Sequence, residues 1–268
     1  MSSMKGGVVG DYVSLQRGKT YSGKLVGEPG PALLGLGSIK PGGGFRHDKV
    51  KTFGGECPEN LMAYPGDIYV ALKGATKDGS MIGSVSRVPD DVESGRLTQD
   101  TAKLLFKEPS HEIESHLYWI LQTPHYRRYC AARATGSAQV GFSRDDFLAY
   151  PVPPITASTR TLTSLFESIE ARTSLNGVMA GTLKAITQAV FKSWFVDFDP
   201  VHAKVEGREL VGMAPETAAL FPDSFQDSSL GRIPMGWQVV EVGECAKLLD
   251  HKRIPLNSRE RAARQGPY

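Results

Sequence analysis

Three polar segments of the sequence combine cationic side chains with hydroxyl and amide groups. They run over residues 17–24, 73–80 and 133–144, and the second directly follows an apolar run. Lysine and arginine neutralise phosphates, while arginine, lysine, glutamine, serine and threonine also hydrogen-bond to base edges. Such segments have the composition of nucleic-acid-contacting loops, although a solvated surface turn without a ligand has the same composition. The candidate contact residues are Lys19, Tyr21, Lys24, Lys73, Thr76, Lys77, Ser80, Arg133, Thr135, Ser137, Gln139 and Arg144.

The overall charge is low for a nucleic-acid-binding protein. The 268-residue chain carries 31 lysine and arginine residues against 29 aspartate and glutamate residues, a formal net charge of +2. Because many DNA-binding proteins are far more basic, this charge permits nucleic-acid binding without arguing for it. Any basic surface must therefore be local, and residues 40–51, with Arg46 and His47, are a fourth and weaker candidate.

Motifs for catalysis, metal binding and cofactor binding are missing from the sequence. Gly18-Lys19-Thr20 imitates the end of a Walker loop, but the leading glycine would fall at position 13, which is Val13. There is no CxxC pair, no HExxH or EF-hand pattern, and no Asn/Asp-Pro-Pro-Tyr/Phe motif of an amino-methyltransferase. Asp197 and Asp199 precede a proline, where turn roles explain them as well as a metal pair does. The sequence predicts no catalytic residue, no metal and no cofactor.

Targeting signals are also missing. The N-terminus has no apolar stretch typical of a signal peptide, and no run approaches 18 apolar residues. We therefore expect a cytoplasmic protein without a membrane-spanning helix.

The polar segments lie in a region, residues 1–155, that predicts a compact α+β domain. Apolar runs at 32–36, 67–72 and 102–106 are bounded by Gly-Pro and Gly-Gly turns, the pattern of short buried strands. Residues 110–130 have the pattern of a helix that Pro124 breaks into two pieces. Strands with a few helices indicate mixed α and β structure around one core.

A long helix follows the proline cluster at 151–154. Ser158 to Phe195 contains no proline, and either Ser158 or Thr159 is a suitable N-cap. Alternating steps of three and four residues from Leu162 give a heptad stripe with a polar notch at Arg172 and Asn176. A helix of roughly 38 residues is about 57 Å long and cannot bury this stripe alone. The predicted interface residues are Leu162, Leu165, Ile169, Met179, Leu183, Ile186, Val190 and Trp194.

The partner of this stripe has two possible sources. One is a hairpin inside the chain, and the other is a subunit-joining contact with another chain. Since the sequence shows no second long helix, the second reading predicts self-association of two copies. Gly177 and Gly181 indicate a bend or a close helix approach in the same region.

The C-terminal part of the sequence echoes the beginning. Residues 201–235 are polar and irregular, with a short helical piece at 215–220, and a strand-like unit starts at Ile233. Val9-Gly10-Asp11 resembles Val242-Gly243-Glu244, and a polar basic stretch follows each. We expect residues 236–268 to be the opening of a second copy of the first domain.

This order of parts resembles the specificity subunits of type I restriction–modification systems. Pro65–Val70 (PGDIYV) resembles the family's Gly-Asp-Ile strand, and Ala134–Gln139 (ATGSAQ) resembles its Thr-Gly-Ser-Ala-Gln loop. Phe147–Pro154 resembles the exit from a recognition domain, Phe191–Pro200 (FKSWFVDFDP) the stretch after the first long helix, and Ile233–Trp237 (IPMGW) the entry to the second domain. The chain departs from the family in lacking a full second domain and second long helix, and Thr156-Ala157-Ser158 replaces the usual Glu-Gln.

The resemblance implies a non-catalytic subunit that reads double-stranded DNA. Residues 1–155 would be the target-recognition domain, 156–200 a spacer and dimerisation helix, and 201–235 a connecting segment. The implied partners are modification (methyltransferase) subunits, a restriction (ATP-dependent translocase and nuclease) subunit and a second copy of this chain, directed to a two-part site.

Two other functions are compatible with the residues alone. One is a stand-alone DNA-modifying enzyme, against which the missing catalytic motifs argue. The other is a coiled-coil interaction protein without DNA binding, which absence of DNA affinity in the presence of the modification subunit would favour.

Overall fold

The chain is described from a computed structural model that covers residues 6–74, 80–135, 141–210, 212–249 and 255–263. It divides into two compact units, Met1–Ser174 and Leu175–Tyr268, and each is described by itself. No helix among these residues is long and apolar enough to cross a membrane.

The first unit contains short strands bounded by glycine- and proline-rich turns. In chain order they are β1 (Gly7–Val8), β2 (Val13–Arg17), β3 (Ala32–Leu34), β4 (Met62–Ala63), β5 (Ile68–Ala71), β6 (Val85–Arg87), β7 (Gly95–Leu97), β8 (Thr101–Phe106) and β9 (Pro151–Val152). A four-stranded antiparallel sheet has the order β2-β8-β5-β6, and a three-stranded sheet has the order β3-β7-β4. The runs predicted as strands form β3, β5 and β8.

The helices of the first unit confirm the predicted break at Pro124. They are α1 (Val9–Tyr12), α2 (His111–Ile120), α3 (Pro124–Arg133), α4 (Arg144–Leu148) and the beginning of α5 (Ala157–Phe195). Pro124 is the first residue of α3, where its missing N–H costs no hydrogen bond. The Thr123 hydroxyl caps this helix by accepting from the Tyr126 N–H at 3.3 Å.

The four-stranded sheet separates two apolar cores. Successive side chains of β5 point to opposite faces, so Val70 packs with the helix side chains Leu117 and Phe147. Tyr69 and Ala71 pack on the other face with residues of the three-stranded sheet. Both faces of β5 are therefore buried, as its continuous apolar run predicts. The predicted α+β class, with a mixed domain followed by a long helix, is confirmed.

Two strands near the ends of the region 1–155 lie side by side. β1 pairs with β9, and the Val9 N–H donates to the Tyr150 carbonyl at 2.9 Å. Val9, Val152 and Ile155 all belong to the core between the sheet and the helices. The chain therefore closes this fold before it enters the long helix.

Helix α5 begins one residue earlier than predicted, at Ala157, and its cap lies two or three residues before the predicted ones. The Thr156 hydroxyl accepts from the Thr159 N–H at 3.2 Å, and the Thr159 hydroxyl accepts from the Thr156 N–H at 2.7 Å. The prediction of Ser158 or Thr159 as N-cap is wrong, because this reciprocal pair places the cap at Thr156. The helix runs 39 residues through Gly177 and Gly181, and a Cβ at either glycine would meet no atom within 4 Å.

The second unit is more regular than predicted. After α5 it contains α6 (Asp199–Val205), α7 (Pro215–Ala218), the hairpin β10 (Phe225–Ser228) and β11 (Gly231–Pro234), α8 (Val242–Cys245) and α9 (Ser258–Ala262). The expectation of an irregular stretch over 201–235 missed α6 and the hairpin. Phe198, at φ 55°, turns the chain so that its ring contacts the Trp237 ring at 5.5 Å. The strand-like unit predicted from Ile233 is a strand only as far as Pro234, and its last predicted residues form the helical turn Val242–Cys245 instead.

Candidate nucleic-acid interface

Three strands of the four-stranded sheet bring the predicted loops to one edge. Arg17, the last residue of β2, pairs with Ala102, and Ala71, the last residue of β5, pairs with Thr101. The loops that leave β2 and β5 therefore start beside the turn 98–100 that precedes β8. We call the surface formed by these segments the loop edge.

The first predicted loop is held at the loop edge by its backbone. Lys19 forms a parallel bridge with Thr98, and the Arg17 side chain donates to the Gln99 carbonyl at 3.4 Å. A Cβ at Gly18 would lie 2.1 Å from the Thr98 carbonyl oxygen, so only glycine permits this approach. Lys19 and Lys24 are exposed, as phosphate-contacting side chains must be.

A buried arginine that the sequence analysis missed fixes the path of this loop. Arg96 on β7 is 5% exposed and donates to the carbonyls of Lys19, at 3.4 Å, and Thr20, at 3.1 Å. Its guanidinium also lies 5.8 Å from the Tyr21 ring centroid, and that ring packs on Phe53. Tyr21 remains 40% exposed, so part of its side chain is available to a ligand. The sequence feature that could have identified Arg96 is its position as a charged residue between Gly95 and Leu97 in a short strand.

The second predicted loop is described only at its ends. The Lys73 ammonium lies 3.9 Å from the Asp100 carboxylate, which places Lys73 beside the turn 98–100. Ser80, at the other end, is half-buried, and its carbonyl accepts from Arg127 of α3 at 2.5 Å. Thr76 and Lys77 lie outside the described residues.

The third predicted loop joins the second. Thr135 and Gly141 form a closed pair, with N–H to carbonyl distances of 3.0 and 2.8 Å, and Gly141 also bridges to Lys73. Thr135 is exposed there, while Ser137 and Gln139 lie outside the described residues. Arg144 is exposed at the start of α4, three residues after Gly141.

Arg133 differs from the other candidates because its side chain has partners within the fold. The guanidinium lies 3.7 Å from the Tyr129 ring centroid and 3.7 Å from the Asp146 carboxylate. Burial raises the pKa of the Tyr129 hydroxyl, with Arg133 acting in the opposite direction. A contact between Arg133 and a ligand must compete with these interactions.

A cleft of about 770 Å³ adjoins the first loop and adds residues that the sequence analysis did not assign. Lys49 and Lys51 line it and are exposed, at the end of the weaker segment 40–51. Gln99 is exposed at its wall, and the amide of glutamine can read adenine. The sequence feature that could have predicted this turn is the polar triplet at residues 98–100, which lies between the apolar residues of β7 and β8.

Asp100 gives the cleft one carboxylate among its lysines. Its Oδ1 atom is buried and makes no hydrogen bond within the described part of the chain. A carboxylate repels phosphates but accepts a hydrogen bond from the cytosine amino group. The cleft thus combines phosphate-binding and base-reading chemistry.

The predicted helix stripe is largely exposed. Seven of its eight apolar members are more than a third exposed, from 39% at Val190 to 61% at Leu183. Trp194 is half-buried, and its ring contacts Phe221 at 5.8 Å. An exposed apolar stripe of this length is a feature of interaction surfaces.

The histidine and cysteine side chains are dispersed over the described part of the chain. No group of three or more histidine, cysteine, aspartate or glutamate side chains among them is placed to hold a metal ion. His116 is buried and its Nε2 lies 3.1 Å from the Pro153 carbonyl, and burial lowers its pKa. Cys57, Cys130 and Cys245 are free thiols.

Comparison with known proteins gives one curated relative. The chain is 36% identical over 129 residues to the specificity subunit of the type I restriction enzyme HindI from Haemophilus influenzae. The match covers 45% of this chain and 27% of that subunit, so the chain spans about a quarter of the relative's length. No protein-family model matches.

Comparison with solved structures gives partial matches. The S subunit of a type I restriction-modification system from M. genitalium gives a TM-score of 0.45 at 13% identity, covering 76% of this chain and 46% of that one. The HsdS subunit from Thermoanaerobacter tengcongensis gives 0.41 at 15%, covering 73% and 45%.

Proposed function

Taking the chain as a relative of the type I restriction specificity subunits, we propose that it recognises a short sequence in double-stranded DNA and directs partner subunits to it. The curated relative supports the family, and the loop edge supports the site. The observation that carries the proposal is that the first donor-rich loop and the described ends of the other two meet beside one cleft lined by lysines. Chemistry on the DNA is assigned to the partners, so this subunit is not an enzyme.

The parts of the chain take different roles in this proposal. Residues 1–155 read the DNA, with Lys19, Lys24 and Lys73 on phosphates and Tyr21, Thr135 and Gln99 near base edges. Residues 156–200 form the spacer, 201–235 connect, and 236–268 begin a second recognition domain. The helical turn of Val242–Cys245, which repeats that of Val9–Tyr12, supports the last assignment.

The exposed stripe of α5 supports self-association of two copies. A heptad seam needs a facing helix, and the described residues contain no second helix of comparable length. Two copies paired antiparallel would present two recognition domains and read a symmetric two-part site. Modification subunits, which methylate DNA from S-adenosylmethionine, and a restriction subunit would join this assembly in the cytoplasm.

Co-purification with the cognate modification subunit, followed by methylation-site sequencing, tests the proposal as a whole. We expect methylation at one sequence with two half-sites at fixed spacing, and none from either protein alone. Methylation or cleavage by the purified chain alone would show instead a stand-alone enzyme. No DNA affinity in the presence of the modification subunit would favour an interaction protein.

The loop edge itself is tested by single lysine substitutions in the complete assembly. We expect Lys19→Met and Lys73→Met each to weaken binding to all sequences and to lower the salt-dependence slope by about 1. Lys184→Met, which removes an exposed lysine from α5, is the matched control and should leave the slope unchanged. Equal slopes for all four proteins would exclude this surface as the DNA contact.

A further inference from the structure

A group of five hydrogen-bonded side chains is among those that connect the recognition domain to the first turns of α5. The Arg87 guanidinium makes two parallel contacts of 2.9 Å with the Glu167 carboxylate and lies 3.5 Å from Glu170. The Trp119 indole N–H donates to Glu167 at 2.9 Å, and the Tyr118 hydroxyl donates to Glu170 at 3.0 Å. We call these residues the junction cluster.

The junction cluster has the geometry of a rigid joint. Arg87 ends the edge strand β6, Tyr118 and Trp119 lie on α2, and both glutamates lie on α5, so three elements meet. The Arg87 guanidinium also lies 4.3 Å from the Tyr118 ring centroid. Bidentate arginine–carboxylate pairs fix orientation as well as distance, unlike a single flexible ion pair. The side chains of Arg87 and Glu167 are only 21% and 23% exposed, which limits screening by solvent.

Beyond the junction cluster, α5 is bare. Every residue from 171 to 192 is exposed, so over these 22 residues no side chain of the helix is buried, and the next ring contacts begin at Phe191 and Trp194 near its end. From Glu170 to Phe195 the helix extends about 38 Å at 1.5 Å per residue. A tilt of about 10° at the joint would displace its far end by about 6–7 Å, or two base-pair steps of about 3.4 Å.

We propose that the junction cluster is a positioning device that sets the spacing between the two half-sites the assembly accepts. It fixes the direction in which α5 leaves the recognition domain, and the helix converts that direction into a distance along the DNA. Arg87 is the positioning residue, because within the junction cluster it is the member that contacts both glutamates and an α2 side chain. This inference rests on the proposed function, since it requires a two-part DNA site.

Selection from a library of random duplexes, using the full chain with its modification subunit, measures spacing and sequence together. We expect the wild type to bind its selected spacing at least about tenfold more tightly than duplexes one base pair longer or shorter. Arg87→Met and Glu170→Gln should select the same half-site sequences but reduce this ratio to within about threefold. Arg87→Lys, which keeps the charge without the bidentate pair, should fall between.

The matched control is Arg160→Met. It removes the ion pair of Arg160 with Glu112 at the same joint, where the two side chains are 48% and 40% exposed. Solvent-exposed ion pairs contribute little to stability. We expect its spacing preference to equal that of the wild type. Thermal unfolding of each variant separates a loss of folding from a loss of positioning, and if Arg87→Met does not fold, Glu170→Gln is judged by the same ratio.

The outcomes distinguish this inference from the proposed function. A wild type that selects no sequence, or a single half-site, contradicts the proposed function. A wild type with one sharp spacing, matched by folded Arg87→Met and Glu170→Gln, overturns the positioning role alone. Loss of half-site recognition in a folded Arg87 variant also overturns it, because Arg87 would then act on the reading itself.

Discussion

Two helical turns of this chain share the sequence Val-Gly followed by an acidic residue, but the valine of the first is buried and that of the second is exposed. In Val9–Tyr12 the Asp11 carboxylate accepts from the Val8 N–H at 2.8 Å, and in Val242–Cys245 the Glu244 carboxylate accepts from the Glu241 N–H at 3.4 Å. Val9 is 0% exposed, whereas Val242 is 81% exposed. The difference shows that four residues suffice to form the turn, while burial depends on residues distant in the sequence.

The distant residues that cover the first turn can be named. Tyr150 accepts its Val9 N–H at 2.9 Å, and the Lys107 ammonium donates to the Gly10 carbonyl at 2.6 Å. Gly10 also lies close enough to α4 that an added Cβ would be 3.2 Å from the Leu148 carbonyl oxygen. At Gly243 a Cβ would meet no atom within 4 Å. The first turn is thus a packed element, and the second retains its hydrogen bond without packing.

Truncation of the valines gives the largest expected contrast. Val9→Ala removes two fully buried methyl groups and should lower the free energy of unfolding by about 2 kcal/mol, since a cavity remains. Val242→Ala should change it by less than about 0.5 kcal/mol, because that side chain is already hydrated. Denaturant unfolding followed by circular dichroism measures both. Equal losses would mean that Val242 is buried in solution, by self-association or otherwise.

Lowering the pH tests how much Glu167 contributes to the stability of the first unit. Burial acts to raise the pKa of this carboxyl, but hydrogen bonds and charge from Arg87 outweigh it and lower the pKa to about 2. Because the folded-state pKa lies below the unfolded value of 4.5, the stabilisation is complete above pH 4.5 and is lost as pH falls towards 2. We expect Glu167→Gln to cost about 1–2 kcal/mol at pH 7 after allowance for screening. The wild type and the variant should converge near pH 2 in denaturant titrations, and a gap independent of pH would contradict this.

The same contrast between local and distant causes decides what the sequence could predict. The strands at 67–72 and 102–106, the break at Pro124 and the course of α5 depend on periodicity and proline, which act locally, and all three are present. The cap at Thr156 was missed because its partner at the third helical position is Thr159, where the usual capping pattern has Glu or Gln. The hairpin of β10 and β11 contacts the rest of the unit through the Phe225 and Phe198 rings, at 6.3 Å, a contact between distant residues that has no sequence period.

The candidate site was predictable to the same degree. Lys19 and Lys73 stand out in the sequence as cations in donor-rich loops, and they remain proposed DNA contacts. Their meeting beside Gln99 depends on the pairing of β2, β5 and β8 across more than 80 residues. No periodicity encodes such pairing, so the role of Arg96, and the place of Lys49 and Lys51 beside the first loop, could be assigned only from the structure.

Adding a methyl group at the two glycines should give effects of opposite sign. Gly10→Ala places its Cβ against the backbone of Leu148 and should destabilise the first unit by about 1 kcal/mol, since backbone yields little. Gly243→Ala meets open space and reduces the freedom of the unfolded chain, so it should be neutral or stabilise the turn by up to about 1 kcal/mol. Thermal unfolding measures the effect of Gly10→Ala on stability. Amide hydrogen exchange over residues 241–246 measures the effect of Gly243→Ala on the second turn. Stabilisation by both would show that α4 moves aside.

Removing the acid from each turn gives the smallest contrast and tests whether the hydrogen bond depends on packing. Asp11→Ala leaves the Val8 N–H without its 2.8 Å acceptor and should cost about 0.5–1 kcal/mol, because Val8 belongs to the ribbon that closes the domain. Glu244→Ala should cost about 0.2 kcal/mol, since water replaces the carboxylate at an exposed N–H 3.4 Å away. Unfolding measures the first, and exchange of the Glu241 amide measures the second. If Glu244→Ala left that exchange rate unchanged, the Glu244 carboxylate would contribute nothing to the stability of the second turn. The two turns would then be similar in sequence but stabilised by different interactions.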